Sequence, residues 1–96
     1  MIDHTDHEMF FNTSIAIKRH STKIQVGGLS SSPAQASILV EMQKGHPERA
    51  GAFDLFTYHA YCNGKTAAEC AAMQVGTVAE LKKVLPGVCV CVCVCH

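Results

Sequence analysis

The sequence has no excess of charge of either sign: eight Lys and Arg balance eight Asp and Glu, for a formal net charge of zero. No overall field therefore draws in nucleic acid or an anionic membrane. Long apolar runs are also missing, since Val88 to Cys95 spans only eight residues whereas a membrane-crossing helix needs about 20. The opening Met1-Ile2-Asp3-His4-Thr5-Asp6-His7-Glu8 is acidic and polar, without the basic-then-apolar pattern of a secretory signal. A cytoplasmic location is the expectation, with thiols as the default state of the six cysteines. The sequon Asn12-Thr13-Ser14 has meaning only in a secreted chain and is set aside. Charged residues, at 17%, run below the roughly 25% usual in globular proteins, yet 48% hydrophobic residues are enough for a packed domain. Ninety-six residues make one such domain and exclude a two-domain enzyme.

Between residues 10 and 18, Phe11, Thr13, Ile15 and Ile17 fall at every second position, and Thr22, Ile24 and Val26 repeat the alternation before Gly27-Gly28. This pattern predicts a β-hairpin within residues 9 to 29. Ser32-Pro33-Ala34-Gln35 combines a capping serine, a proline suited to a first helical turn and a glutamine able to close a capping box, predicting a helix over 33–44 that stops at Gly45. Pro47 opens a second expected helix, 47–62, carrying Ala50, Phe53, Leu55, Phe56, Ala60 and Tyr61 and ending at Asn63-Gly64. Two further capping-box patterns, Thr66 to Glu69 and Thr77 to Glu80, lie on either side of Gly76 and predict two short helices, 67–75 and 78–85.

Val88 through Cys95 alternates Val and Cys without exception and His96 closes the sequence. A thymine–guanine dinucleotide repeat read in triplets encodes the same alternation. On an extended strand the period of two puts Val88, Val90, Val92 and Val94 on one face and Cys89, Cys91, Cys93 and Cys95 on the other. Such a strand is a candidate to join the hairpin with its valines toward the helices, and it is a candidate for self-association as well. Four thiolates with the imidazole of His96 are also a sufficient ligand set for zinc or copper. In its Cys-x-Cys run the tail resembles the thiolate cluster proteins such as metallothioneins over eight residues. Same-face neighbours on a strand stand about 6.5 Å apart, whereas sulfurs sharing a zinc at about 2.3 Å bond length lie closer, so the strand must buckle to chelate.

Three other groupings bear on function. His4 and His7, interleaved with Asp3, Asp6 and Glu8, could hold a divalent ion on one helical turn, against the plainer reading of a solvated terminus. His59 and Cys62 lie three apart on the expected core helix, a spacing that allows thiol activation, but no orienting group accompanies them and packing is the expected role. Cys70 among Ala67, Ala68, Ala71 and Ala72 reads as a small buried side chain. The stretch Asn63-Gly64-Lys65-Thr66-Ala67-Ala68-Glu69-Cys70-Ala71, followed by Gly76-Thr77-Val78 and Leu81, resembles the helix-turn-helix of LuxR-type transcription regulators over about 23 residues. The resemblance implies nucleic-acid binding through Lys82 and Lys83; the connection between its two helices is shorter than the family's by roughly one helical turn.

The resulting expectation is a single α+β domain over residues 1–87, with a small antiparallel sheet covered by about four short helices, and a tail at 88–96 as a candidate third strand. No nucleophile, base and oxyanion stabiliser assemble and no spaced-glycine phosphate loop is present, so a non-enzymatic interaction or accessory protein with a protein partner is expected, without cofactor. The alternatives are a metal-binding or redox tail at Cys89, Cys91, Cys93, Cys95 and His96, and a nucleic-acid binder at Lys82 and Lys83.

Overall fold

The structure, a computed structural model, describes the backbone of residues 4–95 and the side chains of residues 5–94. The elements run α1 His4–His20, β1 Gly27–Ser31, α2 Gln35–Gln43, a 3-10 turn Pro47–Arg49, β2 Leu55–Tyr61, α3 Ala67–Val84 and β3 Cys89–Cys95. The strands form one sheet in the order β1-β2-β3, and both pairings are parallel. The expected antiparallel sheet covered by about four short helices is thus corrected, among the described residues, to a parallel three-stranded sheet and three helices.

Each departure has a physical cause. The expected hairpin is largely helix α1, because neither glycine nor proline occurs before Gly27 and because Phe11 belongs equally to a helical stripe of His7, Phe11 and Ser14, all buried. Lys18, Arg19 and His20 sit in its last turn, where cations complement the carbonyl end of a helix. Residues 47–62 are not a helix. After the short turn at Pro47 the chain becomes strand β2, whose Phe56, Tyr58 and Ala60 are buried while Leu55, Thr57, His59 and Tyr61 are not. The apolar residues there fit either period; aromatic side chains on a half-covered sheet decide for the strand.

The two expected short helices are one. A continuous stripe of Cys70, Gln74, Val78, Leu81 and Leu85 carries α3 through Gly76, which costs a helix only about 1 kcal/mol relative to alanine. Thr77 does not start a helix; its hydroxyl donates back to the Met73 carbonyl, 3.1 Å away. The Thr66–Glu69 capping box, by contrast, is present, with reciprocal bonds of 3.1 and 2.8 Å.

All three helices pack on one side of the sheet. Phe11 from α1, Ala36 and Leu39 from α2, Leu81 from α3 and Leu85 just beyond it converge on Phe56, Tyr58 and Ala60. Tyr58 is fully buried and donates its hydroxyl to Gln74 Oε1 at 2.8 Å, tying β2 to α3, and burial raises its phenol above the ordinary value. At Gly27 a side chain is excluded, because a Cβ would lie 2.5 Å from that of Leu55; glycine lets β1 approach β2.

Candidate functional site: the open face and free edge of the sheet

Parallel sheets normally carry cover on both faces. Here the face opposite the helices is open among the described residues. It carries Leu55, Thr57 and His59, half-buried, Tyr61, 68% exposed, and the exposed thiols of Cys89, Cys91 and Cys93. The parallel register sets Leu55 beside Cys89, Thr57 beside Cys91 and His59 beside Cys93. At the carboxyl end of the sheet, Ser30, Ser31 and Ser32 border a shallow cavity of about 300 Å³ with His59 and Tyr61, and the Ser30 and Thr57 hydroxyls are 2.9 Å apart.

The valines of β3 lie in register with Phe56, Tyr58 and Ala60 and turn toward the helices, but α3 covers them only in part: Val92 is 37% and Val94 47% exposed. Beside Val92 runs an apolar groove of about 450 Å³ lined by Gln74, Val75, Val78, Ala79 and Lys82 of α3.

The outer edge of β3 has a definite polarity. Cys89 N–H donates to the Asp54 carbonyl at 2.9 Å, so the backbone groups of Cys89 point at β2. Strand geometry then directs those of Cys91, Cys93 and Cys95 the same way and those of Val90, Val92 and Val94 outward. Among the described residues no strand pairs with that side. β3 carries no charge, proline or glycine, and its pairing with β2 runs from Leu55–Cys89 to Tyr61–Cys95 without a bulge. The devices that commonly blunt a sheet edge are absent from it.

The cysteines divide into two classes. Cys62 and Cys70, expected as thiols, form a disulfide that staples the end of β2 to the first turn of α3. His59 and Cys62 therefore do not form a helical pair: the histidine is on the open face and the cysteine is consumed. Cys89 and Cys91 are free. Desolvation, then the hydrogen bond that the Cys91 thiol donates to Cys89 and the repulsion of a Cys89 thiolate, hold the Cys91 thiol above its ordinary value, so it is a poor source of thiolate at neutral pH. Among the described residues no three His, Cys, Asp or Glu converge to hold a metal ion. The side chain of Cys95 and all of His96, the remaining members of the expected tail ligand set, lie outside the described residues, as do Asp3 and the His4 side chain of the acidic N-terminal cluster. His7 is buried and its Nε2 lies 2.6 Å from Gln35 Oε1, so it faces the core rather than an ion.

Lys82 and Lys83 are exposed in the last turn of α3, with Lys83 Nζ 3.3 Å from Glu80. Because α3 is unbroken, the turn that the resemblance to LuxR-type regulators requires is missing. The uncharged alternation marks this strand as a candidate for self-association in the sequence, but which of its sides is free follows only from its place at the end of a run of parallel crossovers. No helix among the described residues is long and apolar enough to cross a membrane. Comparison with protein-family models, curated proteins and solved structures gives no match.

Proposed function

We propose that this protein is a non-enzymatic interaction module that takes up an extended, uncharged polypeptide segment by strand addition at the outer edge of β3. The observation that carries this reading is the outward row of backbone N–H and C=O groups at Val90, Val92 and Val94 on an edge with no blocking feature. Main-chain hydrogen bonds would supply the affinity, and the groove beside Val92 would receive alternate apolar side chains of the incoming strand. Metal binding through the thiol row is the weaker reading, because successive same-face cysteines are spread along an extended strand and Cys91 resists ionisation. The Cys62–Cys70 bond favours an oxidising setting over the cytoplasm expected from composition.

The test uses a synthetic seven-residue peptide alternating valine and threonine, titrated into the isotopically labelled, reduced-tail protein. Amide signals of Val90, Val92 and Val94 are expected to shift and gain protection from exchange. A Val92→Pro variant removes only an outward N–H and is expected to lose the response while keeping the β2–β3 ladder. Equal response in both proteins, or none in a wild-type chain that is monomeric at the concentration used, rejects strand addition.

A further inference from the structure

We infer that the segment occupying the β3 edge is β3 of a second copy of this chain, paired antiparallel about a two-fold axis at Val92. This rests on the strand-addition reading and names its partner.

The sequence of β3, Cys-Val-Cys-Val-Cys-Val-Cys over residues 89–95, reads identically in both directions. Antiparallel pairing centred on its middle residue therefore sets valine opposite valine and cysteine opposite cysteine along the whole strand. Val92 meets itself, Val90 meets Val94, and Val94 meets Val90. These are the residues whose backbone groups point outward, so each becomes a hydrogen-bonded pair at about 5.5 Å between Cα atoms. No charge lies on the strand and the chain is neutral overall, so neither local nor global repulsion opposes the match.

A two-fold axis perpendicular to the sheet keeps the helices of both copies on one side. It also brings together two copies of the incompletely covered strip beside β3: Val92, Val94 and, on α3, Val75, which is 72% exposed. Each half thus contributes the apolar cover the other lacks. The assembly closes at two copies because the opposite edge is blunted. β1 has five residues, its register shifts between Leu29 and Ser31, and Ser30 stands at φ 59.

Sedimentation equilibrium of the chain, with the tail thiols held reduced, decides the matter. The expected result is reversible dimerisation, with Val92→Pro and Val92→Lys weakening it at least tenfold while the circular dichroism of each variant stays that of the wild type. The lysine variant acts by setting like charges against each other at the axis, so it remains informative where proline impairs folding. A wild-type chain that is monomeric at every concentration, that forms open-ended oligomers, or whose dimer survives both substitutions overturns the inference. A monomeric wild type that still takes up the valine–threonine peptide retains strand addition and rejects the second copy; one that takes up no peptide rejects both.

Discussion

Arg49 is the most consequential single side chain away from the sheet edge. It is 7% exposed, and its guanidinium has three partners: Nη2 donates to Glu8 Oε2 at 2.6 Å, Nη1 donates to the Met42 carbonyl at 2.7 Å, and Cζ sits 5.0 Å from the centre of the Phe11 ring. A buried charge is tolerable only with such partners, and removing one member of the set leaves the others desolvated without return. Arg49→Ala is therefore expected to cost about 3 kcal/mol in equilibrium urea unfolding. Arg49→Lys should recover only part of this, because an ammonium cannot reproduce the planar fork or the stacking on Phe11. A loss well under about 1 kcal/mol for the alanine variant would show that the arginine behaves as an ordinary surface cation. Nothing in the local sequence marks this residue, since Glu8 lies 41 positions away and Phe11 is brought to it only by folding.

At the scale of elements, the junction of β2 and α3 is fastened twice, by the Thr66–Glu69 capping box and by the Cys62–Cys70 disulfide eight residues apart in sequence. Closing so short a loop restricts the unfolded chain by an amount equivalent to roughly 2–3 kcal/mol. A Cys62→Ser, Cys70→Ser double variant is expected to lose that much in chemical denaturation and to be indifferent to reductant, whereas the wild type should fall to the variant's stability when reduced. Unchanged wild-type stability on reduction would show that the bond contributes nothing to folding. The capping box is visible in four residues because its chemistry is local, and the alternation at 88–95 reads as a strand because valine and cysteine obey a period of two and nothing else. The helix expected over 33–44 is present as α2, Gln35–Gln43, whereas α1, β2 and the continuity of α3 are not legible, for the converse reason. Phe11, Ile15 and Ile17 suit both a strand and a helix; Phe53, Leu55 and Phe56 do likewise; Gly76 ends a helix only where no packed stripe runs through it. Strand direction was beyond local reading altogether, because it depends on whether the connections are turns or helical crossovers. A helical reading of residues 55–61 removes β2, and with it the crossover logic that exposes an uncovered face and fixes which edge of the sheet is free.

The molecule as a whole is a βαβαβ unit with an additional helix in front. Two crossovers of the same hand place α2 and α3 on one side of a sheet ordered β1-β2-β3, and α1 joins them there. No crossover constrains α1, so its position depends on side chains: Phe10 and Phe11 against Phe53, His7 at Gln35, Glu8 at Arg49, and Lys18 at Asp54. Asp54 is the junction of this arrangement. Its carboxylate accepts from Lys18 near the end of α1 and, at 2.9 Å, from the backbone N–H of Val26 at the entry to β1, while the residue itself precedes β2. The hydrogen bond from Lys18, followed by that from Val26, holds its carboxyl below the usual aspartate range. A carboxyl with a lowered value in the folded state favours folding when ionised. Its contribution is complete above the unfolded value of about 4 and is lost as pH falls from there through the folded value. Acidification from neutrality to below pH 4 should therefore loosen α1 ahead of the sheet, at a cost attributable to Asp54 of roughly 1 kcal/mol for a partly exposed pair. Asp54→Asn should be less stable than the wild type at neutral pH and should lose less on acidification, with the two unfolding midpoints converging once the pH has fallen below the lowered folded-state value of Asp54. Equal acid sensitivity in both proteins would place the attachment of α1 on its apolar contacts alone, and exchange protection of α1 amides, followed across the same pH range, separates loosening of that helix from unfolding of the sheet.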